Sequence, residues 1–141
     1  MSKPRISILL PTRKRTEALV NSLNSLLALA DNTSNIELLI AYDEDDDESR
    51  EFFSESWVDY IEQCEATSRI FETERFGYTR LNEYINLLGD AATGDWIFFW
   101  NDDSIMQTQG WDTEILKHDP ETIKLLRIPC SNMNHPFALM P

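Results

Sequence analysis

Two neighbouring carboxylates stand where the most hydrophobic stretch of the sequence ends. Residues 96–100 are all apolar, and Asn101, Asp102 and Asp103 follow them directly. Adjacent acids at the mouth of a buried strand are costly unless they are solvated, cap a helix or hold a metal. Because Asn-Asp-Asp-Ser also suits a turn, the spacing alone leaves both a metal site and a simple turn open.

A basic cluster follows another apolar run, at residues 6–10. Arg13, Lys14 and Arg15 come shortly after it and could face either phosphate or water. If both runs are strands of one parallel sheet, the cluster and the carboxylates share a rim, because ligands bind beyond the carboxyl ends of such strands. That arrangement suits a diphosphate bridged to the protein by Mg²⁺ or Mn²⁺, which take oxygen ligands from carboxylates and phosphates.

The elements that must position these groups follow from the hydrophobic pattern. Strands are predicted at residues 5–10, 36–42, 68–72, 95–100 and 123–128, and helices at 16–30, 49–65, after Thr79 and at 113–117. Pro11 is expected to stop the first strand, Thr16 and Thr79 to cap helices, and Gly94 to end one. This alternation predicts an α/β fold with a doubly wound, mostly parallel, Rossmann-like sheet of about five strands flanked by helices. No boundary divides the chain, so residues 1–141 are expected to form a single domain.

An acidic run at residues 43–48 follows the second predicted strand. Its acids alternate as at the start of a calcium loop, but the sixth position is Glu48 rather than Gly and the twelfth is Ser54 rather than Glu. We therefore expect a solvated loop and the start of a helix, with Asp43 alone near the site.

The composition excludes several classes of protein. With 12 basic and 25 acidic residues, the net charge of −13 repels nucleic acid and anionic membranes. No run approaches the roughly 20 apolar residues of a transmembrane segment, and the first apolar run is too short for a signal peptide. Cys64 and Cys130 lack metal-ligand spacing, which predicts reduced thiols in a cytoplasmic protein.

Two segments resemble parts of a known family. Residues 6–13 resemble the opening strand and loop of family 2 glycosyltransferases with the GT-A fold. Residues 96–104 resemble their fourth strand and its D-x-D motif, with Asn101 in place of the first acid. The resemblance covers about residues 5–112. It implies a domain that binds a nucleoside-diphosphate sugar, commonly a UDP-sugar, with Mn²⁺ or Mg²⁺ as cofactor, for transfer to an acceptor that the sequence does not name.

The resemblance also implies roles for individual residues. Asp103 would be the metal ligand, and Asp102 would lie near the ribose and the metal. Asp43 would accept a hydrogen bond from the base. The other residues expected at the nucleotide are Pro11, Thr12, Arg13, Arg75, Gly77 and Asn82. His135 is a further candidate metal ligand, although its neighbours Asn134 and Pro136 favour an ordered loop.

The sequence supplies no catalytic base in the place that the family requires. The base and the acceptor site would follow at about Pro141, and Asp112 and Glu114 lie too early. The expected alternatives are a fragment, a part completed by a partner, or a non-catalytic nucleotide-sugar-binding domain. A sheet cut short would expose an edge or an apolar face, which favours a homo-oligomer.

Two further classes of function are weighed against these. A nucleotidyltransferase is disfavoured because the loop after the first strand has no glycine. A structural interaction domain would leave Asp102 and Asp103 as turn residues.

Overall fold

The computed structural model describes residues 3–122 and Leu126. Four parallel strands form one sheet in the order β3-β2-β1-β4. The strands are β1 (Ile6–Thr12), β2 (Ile36–Asp43), β3 (Thr67–Thr73) and β4 (Trp96–Phe99). The helices are α1 (Thr16–Ala28), α2 (Asp47–Glu55), α3 (Trp57–Ile61), α4 (Leu81–Ala91) and α5 (Trp111–Leu116), with 3-10 turns at Thr33–Asn35 and Tyr78–Arg80. The fifth strand predicted at 123–128 lies outside the described residues.

Different helices cover the two faces of the sheet. On one face Ile8 of β1 packs against Leu19 and Leu23 of α1. Residues of α3 and α5 cover the same face. On the other face Leu9 packs against Leu88 of α4. The two central strands are thus covered on both sides, which is why their sequences are almost continuously apolar. The α/β, doubly wound parallel fold predicted from the sequence is confirmed.

The first strand is longer than predicted. It continues through Pro11 to Thr12, so the expectation that Pro11 ends it was wrong. Pairing of β1 with β4 stops at Leu9, whereas pairing with β2 continues to Thr12. Pro11 therefore lies beyond the last residue that pairs with β4, and its missing N–H costs no hydrogen bond to that strand.

The single helix predicted at 49–65 is divided into α2 and α3 at Ser56. The break lets Trp57 turn into the core, where its Nε1 donates to Ser68 Oγ at 3.0 Å. Aromatic contacts of Trp57 with Phe52 and Phe53 hold the two helices together. The 3.6-residue period of the apolar residues carries no signal for the interruption at Ser56, where φ is −116.

Two predicted helix caps were also wrong. Arg15, rather than Thr16, precedes the first residue of α1, and Thr16 lies inside the helix. The chain makes a 3-10 turn at Tyr78–Arg80 before α4, so Thr79 caps no helix.

The sheet has an open apolar edge in the described part of the chain. In the edge strand β4, Ile97 and Phe99 leave about half or more of their surface exposed, at 51% and 61%. The expected exposed face is therefore present, while the homo-oligomer remains a prediction.

None of the helices among residues 3–122 is long and apolar enough to cross a membrane.

Gly94 lies where the chain entering β4 crosses close to β1. Helix α4 has already ended at Ala91, so Gly94 does not terminate it as predicted. The N–H of Gly94 donates to Ser7 Oγ at 2.9 Å, and a Cβ at position 94 would come within 2.8 Å of that oxygen. The buried carboxylate of Glu37 accepts from Ser7 Oγ at 2.8 Å and from the N–H of Thr93 at 2.9 Å. The glycine thus allows the buried polar contacts that set β4 beside β1.

We expect Gly94→Ala to lower the free energy of unfolding by about 1–3 kcal/mol, because the added methyl group meets backbone and Ser7 at less than contact distance. Gly89→Ala is the matched control. A Cβ there has Leu9 Cδ1 at 4.0 Å as its nearest neighbour, and Gly89 lies within α4, so the change should raise stability by about 0.5–1 kcal/mol. Urea unfolding of both variants measures the difference. Equal effects of the two substitutions would contradict the assignment.

Candidate functional site

An open cavity of about 640 Å³ lies at the carboxyl ends of the strands. Segments that follow all four strands line it, as expected for a ligand site in a sheet of this type. The volume falls within the range of small-molecule pockets, roughly 300–1,000 Å³. The predicted site residues that line the cavity are Pro11, Thr12, Arg13, Asp43, Arg75, Gly77, Asp102 and Asp103.

Some predictions and the structure differ at the level of single residues. Asn82 is exposed and does not line the cavity, and His135 lies outside the described residues. The lining also contains Lys14 and Arg15 of the basic cluster and Asn101 of the D-x-D-like segment. Tyr78, Leu81 and Tyr84 line the cavity as well and were not among the residues expected at the nucleotide or the metal. Lys14 and Arg15 were indicated by their place beside Arg13 in the sequence. Nothing in the sequence indicated Tyr84, because it lies among the apolar residues of α4.

Two carboxylates of the acidic segment (residues 43–48) hold the guanidinium of Arg13. Its Nη1 lies 2.9 Å from Asp43 Oδ2 and 2.5 Å from Asp45 Oδ1, and Nη2 lies 3.2 Å from Asp45 Oδ2. The hydrogen bond to Asp45 is the main cause of a pKa raised well above the usual range for Arg13. Arg13 is therefore engaged with the protein rather than free to face an anion.

The acidic segment also holds the backbone that follows Arg13. Asp46 Oδ2 accepts from the N–H of Lys14 at 2.8 Å, and Glu48 accepts from the N–H of Thr16 at 3.1 Å. Lys14 has φ 51, in the left-handed region that residues other than glycine seldom adopt. The carboxylate of Asp46 thus supports an otherwise unfavourable backbone conformation at the rim of the cavity.

The acidic segment is a loop and a helix start with four exposed acids, as the sequence indicated, but two of its carboxylates are buried. Asp46 is completely buried and Asp43 is 2% exposed. Asp46 also accepts from Ser49 N at 3.1 Å and from Ser49 Oγ at 2.5 Å, which makes it the N-cap of α2. Of this segment Asp43 alone lines the cavity, whereas Asp45 and Asp46 bind the loop that carries Arg13 and Lys14.

Asp43 joins three segments around the cavity. Its Oδ1 accepts from the hydroxyl of Tyr84 in α4, and its Oδ2 accepts from Arg13. The same hydroxyl accepts from the N–H groups of Phe76 at 3.0 Å and Gly77 at 3.3 Å, in the loop at residues 74–77 (the β3 loop). Burial, followed by the hydrogen bond to Asp43, raises the pKa of Tyr84 above its usual 10.0.

The two carboxylates after β4 have different surroundings. Asp102 is buried and accepts from Thr12 Oγ1 at 2.8 Å and from Arg15 Nη1 at 3.3 Å. The side chain of Asp103 is 63% exposed and lies 3.7 Å from the same Arg15 nitrogen. Asp102 therefore holds the β1 and β4 ends together, whereas Asp103 is open to a ligand.

The donor atoms fit a hard divalent cation only in company with a ligand. Residues 3–122 contain no group of three or more His, Cys, Asp and Glu side chains arranged to hold a metal. One exposed carboxylate, Asp103, is a weak site by itself. Magnesium and manganese ions commonly combine one or two carboxylates with substrate phosphates and water, and Asp103 can serve in such a set.

Two cations at the cavity are not paired with acids of the described chain. Lys14 and Arg75 are exposed, line the cavity and form no ion pair with the described residues. Arg13 and Arg15, by contrast, are bound to carboxylates. The charges available to an anion in the cavity are therefore those of Lys14 and Arg75.

The segment between β4 and α5 is fixed along α1. Ser22 Oγ donates to the carbonyl oxygen of Asn101 at 3.3 Å, and Met106 N donates to Ser25 Oγ at 2.8 Å. Farther along, buried Asp112 accepts from the N–H of Asp31 at 2.8 Å and of Asn32 at 2.9 Å. Asp112 is thus a structural residue of the turn after α1, in agreement with its exclusion as a base.

Comparisons with known proteins place this geometry in context. The sequence matches no protein-family model, and no curated protein matches it significantly. The mannosyltransferase PcManGT from Pyrobaculum calidifontis, solved with GDP-Man and Mn²⁺, superposes with a TM-score of 0.66 at 17% identity. TarS from S. aureus, solved with UDP-GlcNAc, gives 0.60 at 18% identity. The fold is that of GT-A-type glycosyltransferases.

The match extends over most of this chain but over a minor part of the others. It covers 83% of this chain and 32% of PcManGT, and 79% of this chain and 30% of TarS. The chain thus spans about a third of the length of these enzymes. The part of the GT-A resemblance that concerns the fold is confirmed.

The pH dependence of stability should report the contacts of Asp46. Burial alone would raise the pKa of Asp46, but hydrogen bonds from Ser49 and from Lys14 N outweigh burial and lower the pKa below 3.8. A carboxylate with a lowered folded pKa contributes stability that is present above its unfolded pKa and is lost as pH falls through the folded pKa. We expect Asp46→Asn to reduce stability at pH 7 by about 1–2 kcal/mol and to flatten the loss of stability below about pH 4.

Chemical unfolding between pH 3 and pH 7 measures both effects. Asp59→Asn is the control, since Asp59 is exposed on α3 and its side chain forms no hydrogen bond or ion pair with the described residues. A stability profile for Asp46→Asn that parallels that of the unsubstituted protein would refute the role of this carboxylate.

Proposed function

We propose that the cavity binds a nucleoside-diphosphate sugar and that this chain is the donor-binding part of a glycosyltransferase. The observation that carries the proposal is the meeting of an exposed carboxylate, Asp103, with two cations, Lys14 and Arg75, that form no ion pair among the described residues, at the carboxyl end of a GT-A-like sheet. The fold adds support, because PcManGT was solved with GDP-Man and TarS was solved with UDP-GlcNAc.

The charged groups suit the diphosphate. Lys14 and Arg75 would bind its oxygens, and the planar guanidinium of Arg75 can donate two hydrogen bonds to one phosphate. The engaged pair Arg13 and Asp43 would form the wall beside the nucleotide rather than contact its charges. This departs from the role of Asp43 implied by the family, since Asp43 is buried and its carboxylate is already bound by Arg13 and Tyr84.

The apolar side of the cavity suits the nucleoside. Tyr78 is 89% exposed and Leu81 is 46% exposed, and both line the cavity. Large apolar side chains that are open to solvent at a pocket commonly mark a ligand surface. We therefore propose that the base, uracil in the favoured case, packs on this side, with Pro11 and Thr12 contributing backbone.

Asp103 would hold Mn²⁺ or Mg²⁺ together with phosphate oxygens of the donor. When bound, the ion would neutralise charge on the diphosphate as the sugar leaves. Asp102 would position Arg15 and Thr12 beneath that site. A single open carboxylate implies that the ion binds firmly only together with the nucleotide.

Transfer of the sugar to an acceptor needs a catalytic base, a residue that removes the proton of the acceptor hydroxyl, and we assign none among the described residues. Asp112 is buried and holds a turn, so it does not face the cavity. We therefore propose that this chain binds the donor and that another segment or a partner supplies the catalytic base. A nucleotide-sugar-binding domain without transferase activity is the alternative that this observation favours.

Calorimetric titration of UDP and GDP in the presence of Mn²⁺ tests the proposal. We expect micromolar binding, roughly −7 to −8 kcal/mol, which chelator and Asp103→Ala each weaken at least about tenfold because the phosphates lose the bridging cation. Asp59→Ala removes an exposed carboxylate far from the cavity and should bind as the unsubstituted protein does. If the folded protein binds no nucleoside diphosphate, the proposed function is wrong.

A further inference from the structure

We infer that the hydroxyl group of Tyr84 is a positioning group for the nucleotide site, because it holds the β3 loop at the cavity. Tyr84 lies in α4, and the loop that it holds carries Arg75, one of the two cations without an ion pair among the described residues. The identity of the ligand in this inference rests on the proposed function. The contact by which Tyr84 holds the β3 loop is independent of it.

The hydrogen bonds of the Tyr84 hydroxyl are complete. A phenolic hydroxyl has one proton to donate and two lone pairs to accept. Here it donates to Asp43 Oδ1 and accepts from the N–H groups of Phe76 and Gly77. Tyr84 is 6% exposed and Asp43 is 2% exposed, so water does not easily replace these contacts.

The β3 loop needs such support because its backbone is unfavourable for most residues. Gly77 has φ 74 and ψ −176, a combination that is essentially restricted to glycine. A Cβ at this position would meet no atom within 4 Å, so the glycine is required by conformation and not by space. Loops in sparsely populated conformations persist when their surroundings fix them, and the bond from Gly77 N to Tyr84 supplies such a contact.

The position of Arg75 follows from that of its neighbour Phe76. The ring of Phe76 packs edge-on against the ring of Tyr84, with centroids 5.0 Å apart, and the guanidinium of Arg80 lies 4.9 Å from the centre of the Phe76 ring. These contacts and the hydrogen bond to Phe76 N fix the loop from below. Arg75 remains exposed at the cavity, so the hydroxyl of Tyr84 sets where this cation meets an anion.

Tyr84→Phe separates this role from simple packing, because it keeps the ring in the core and removes only the hydroxyl. Asp43 keeps its ion pair with Arg13 in the variant. Tyr60→Phe is the matched control. It also removes one hydroxyl, which donates to Asn24 Oδ1 at 2.9 Å, away from the cavity.

Limited trypsin digestion reads the position of the loop without any ligand. The enzyme cleaves after arginine, and Arg75 is exposed in a segment without regular structure. We expect Tyr84→Phe to accelerate cleavage of the Arg75–Phe76 bond about tenfold, as two backbone N–H groups lose their partner, and Tyr60→Phe to leave it unchanged. Urea unfolding is measured in parallel to show that global stability does not explain the rate. Equal cleavage rates in the two variants would overturn the inference.

Nucleotide affinity then tests the link to the site through a double-mutant cycle. We expect Tyr84→Phe and Arg75→Gln each to weaken binding of UDP with Mn²⁺ by about fivefold to tenfold, and the double variant to be little weaker than either. Additive effects, or unchanged affinity in Tyr84→Phe despite faster cleavage, would refute the positioning role. Absence of UDP and GDP binding in the unsubstituted protein would instead overturn the proposed function, and cleavage at Arg75 would still decide whether Tyr84 holds the loop.

Discussion

The buried carboxylate of Asp43 is the interaction on which the rim of the cavity depends. A carboxylate withdrawn from water is unfavourable unless charged or polar groups surround it. Asp43 ends β2, and its two oxygens are satisfied by Arg13 from the segment after β1 and by Tyr84 from α4. Through the Tyr84 hydroxyl the same charge orders the β3 loop. One buried carboxylate in the second strand thus connects three separate segments at the rim.

The acidic segment explains how a protein of net charge −13 presents positive charge to a ligand. Several of its carboxylates bind Arg13 or the backbone N–H groups of Lys14 and Thr16, so their hydrogen-bonding capacity is used to hold the basic loop. They do not pair with the ammonium group of Lys14, which therefore stays available. The excess of acid is partly a scaffold for the basic cluster, and local arrangement rather than net charge decides what the cavity attracts.

The sequence predicts the sheet well because β1 and β2 are buried on both faces and are nearly continuous in apolar residues. It also predicts that Thr12, Asp43 and Asp103 share a rim, because parallel strands end on the same side. It does not reveal the role of Asp46, whose partner Lys14 is 32 positions away, since hydropathy periods carry no information on contacts between distant loops. Tyr84 was not recognised as a site residue for a related reason. Its ring packs as an apolar residue, and only the fold shows where its hydroxyl points.

The segment that carries Asp102 and Asp103 is attached to α1 along its length, through Ser22, Ser25 and the turn that Asp112 holds. A loop that is already immobilised has little conformational entropy left to lose when a ligand arrives. The two carboxylates therefore need no ordering step, in contrast to a carboxylate on a free loop. In the proposed binding of a nucleotide sugar, the polar positions on this face of α1 would contribute entropically, although none of them lines the cavity.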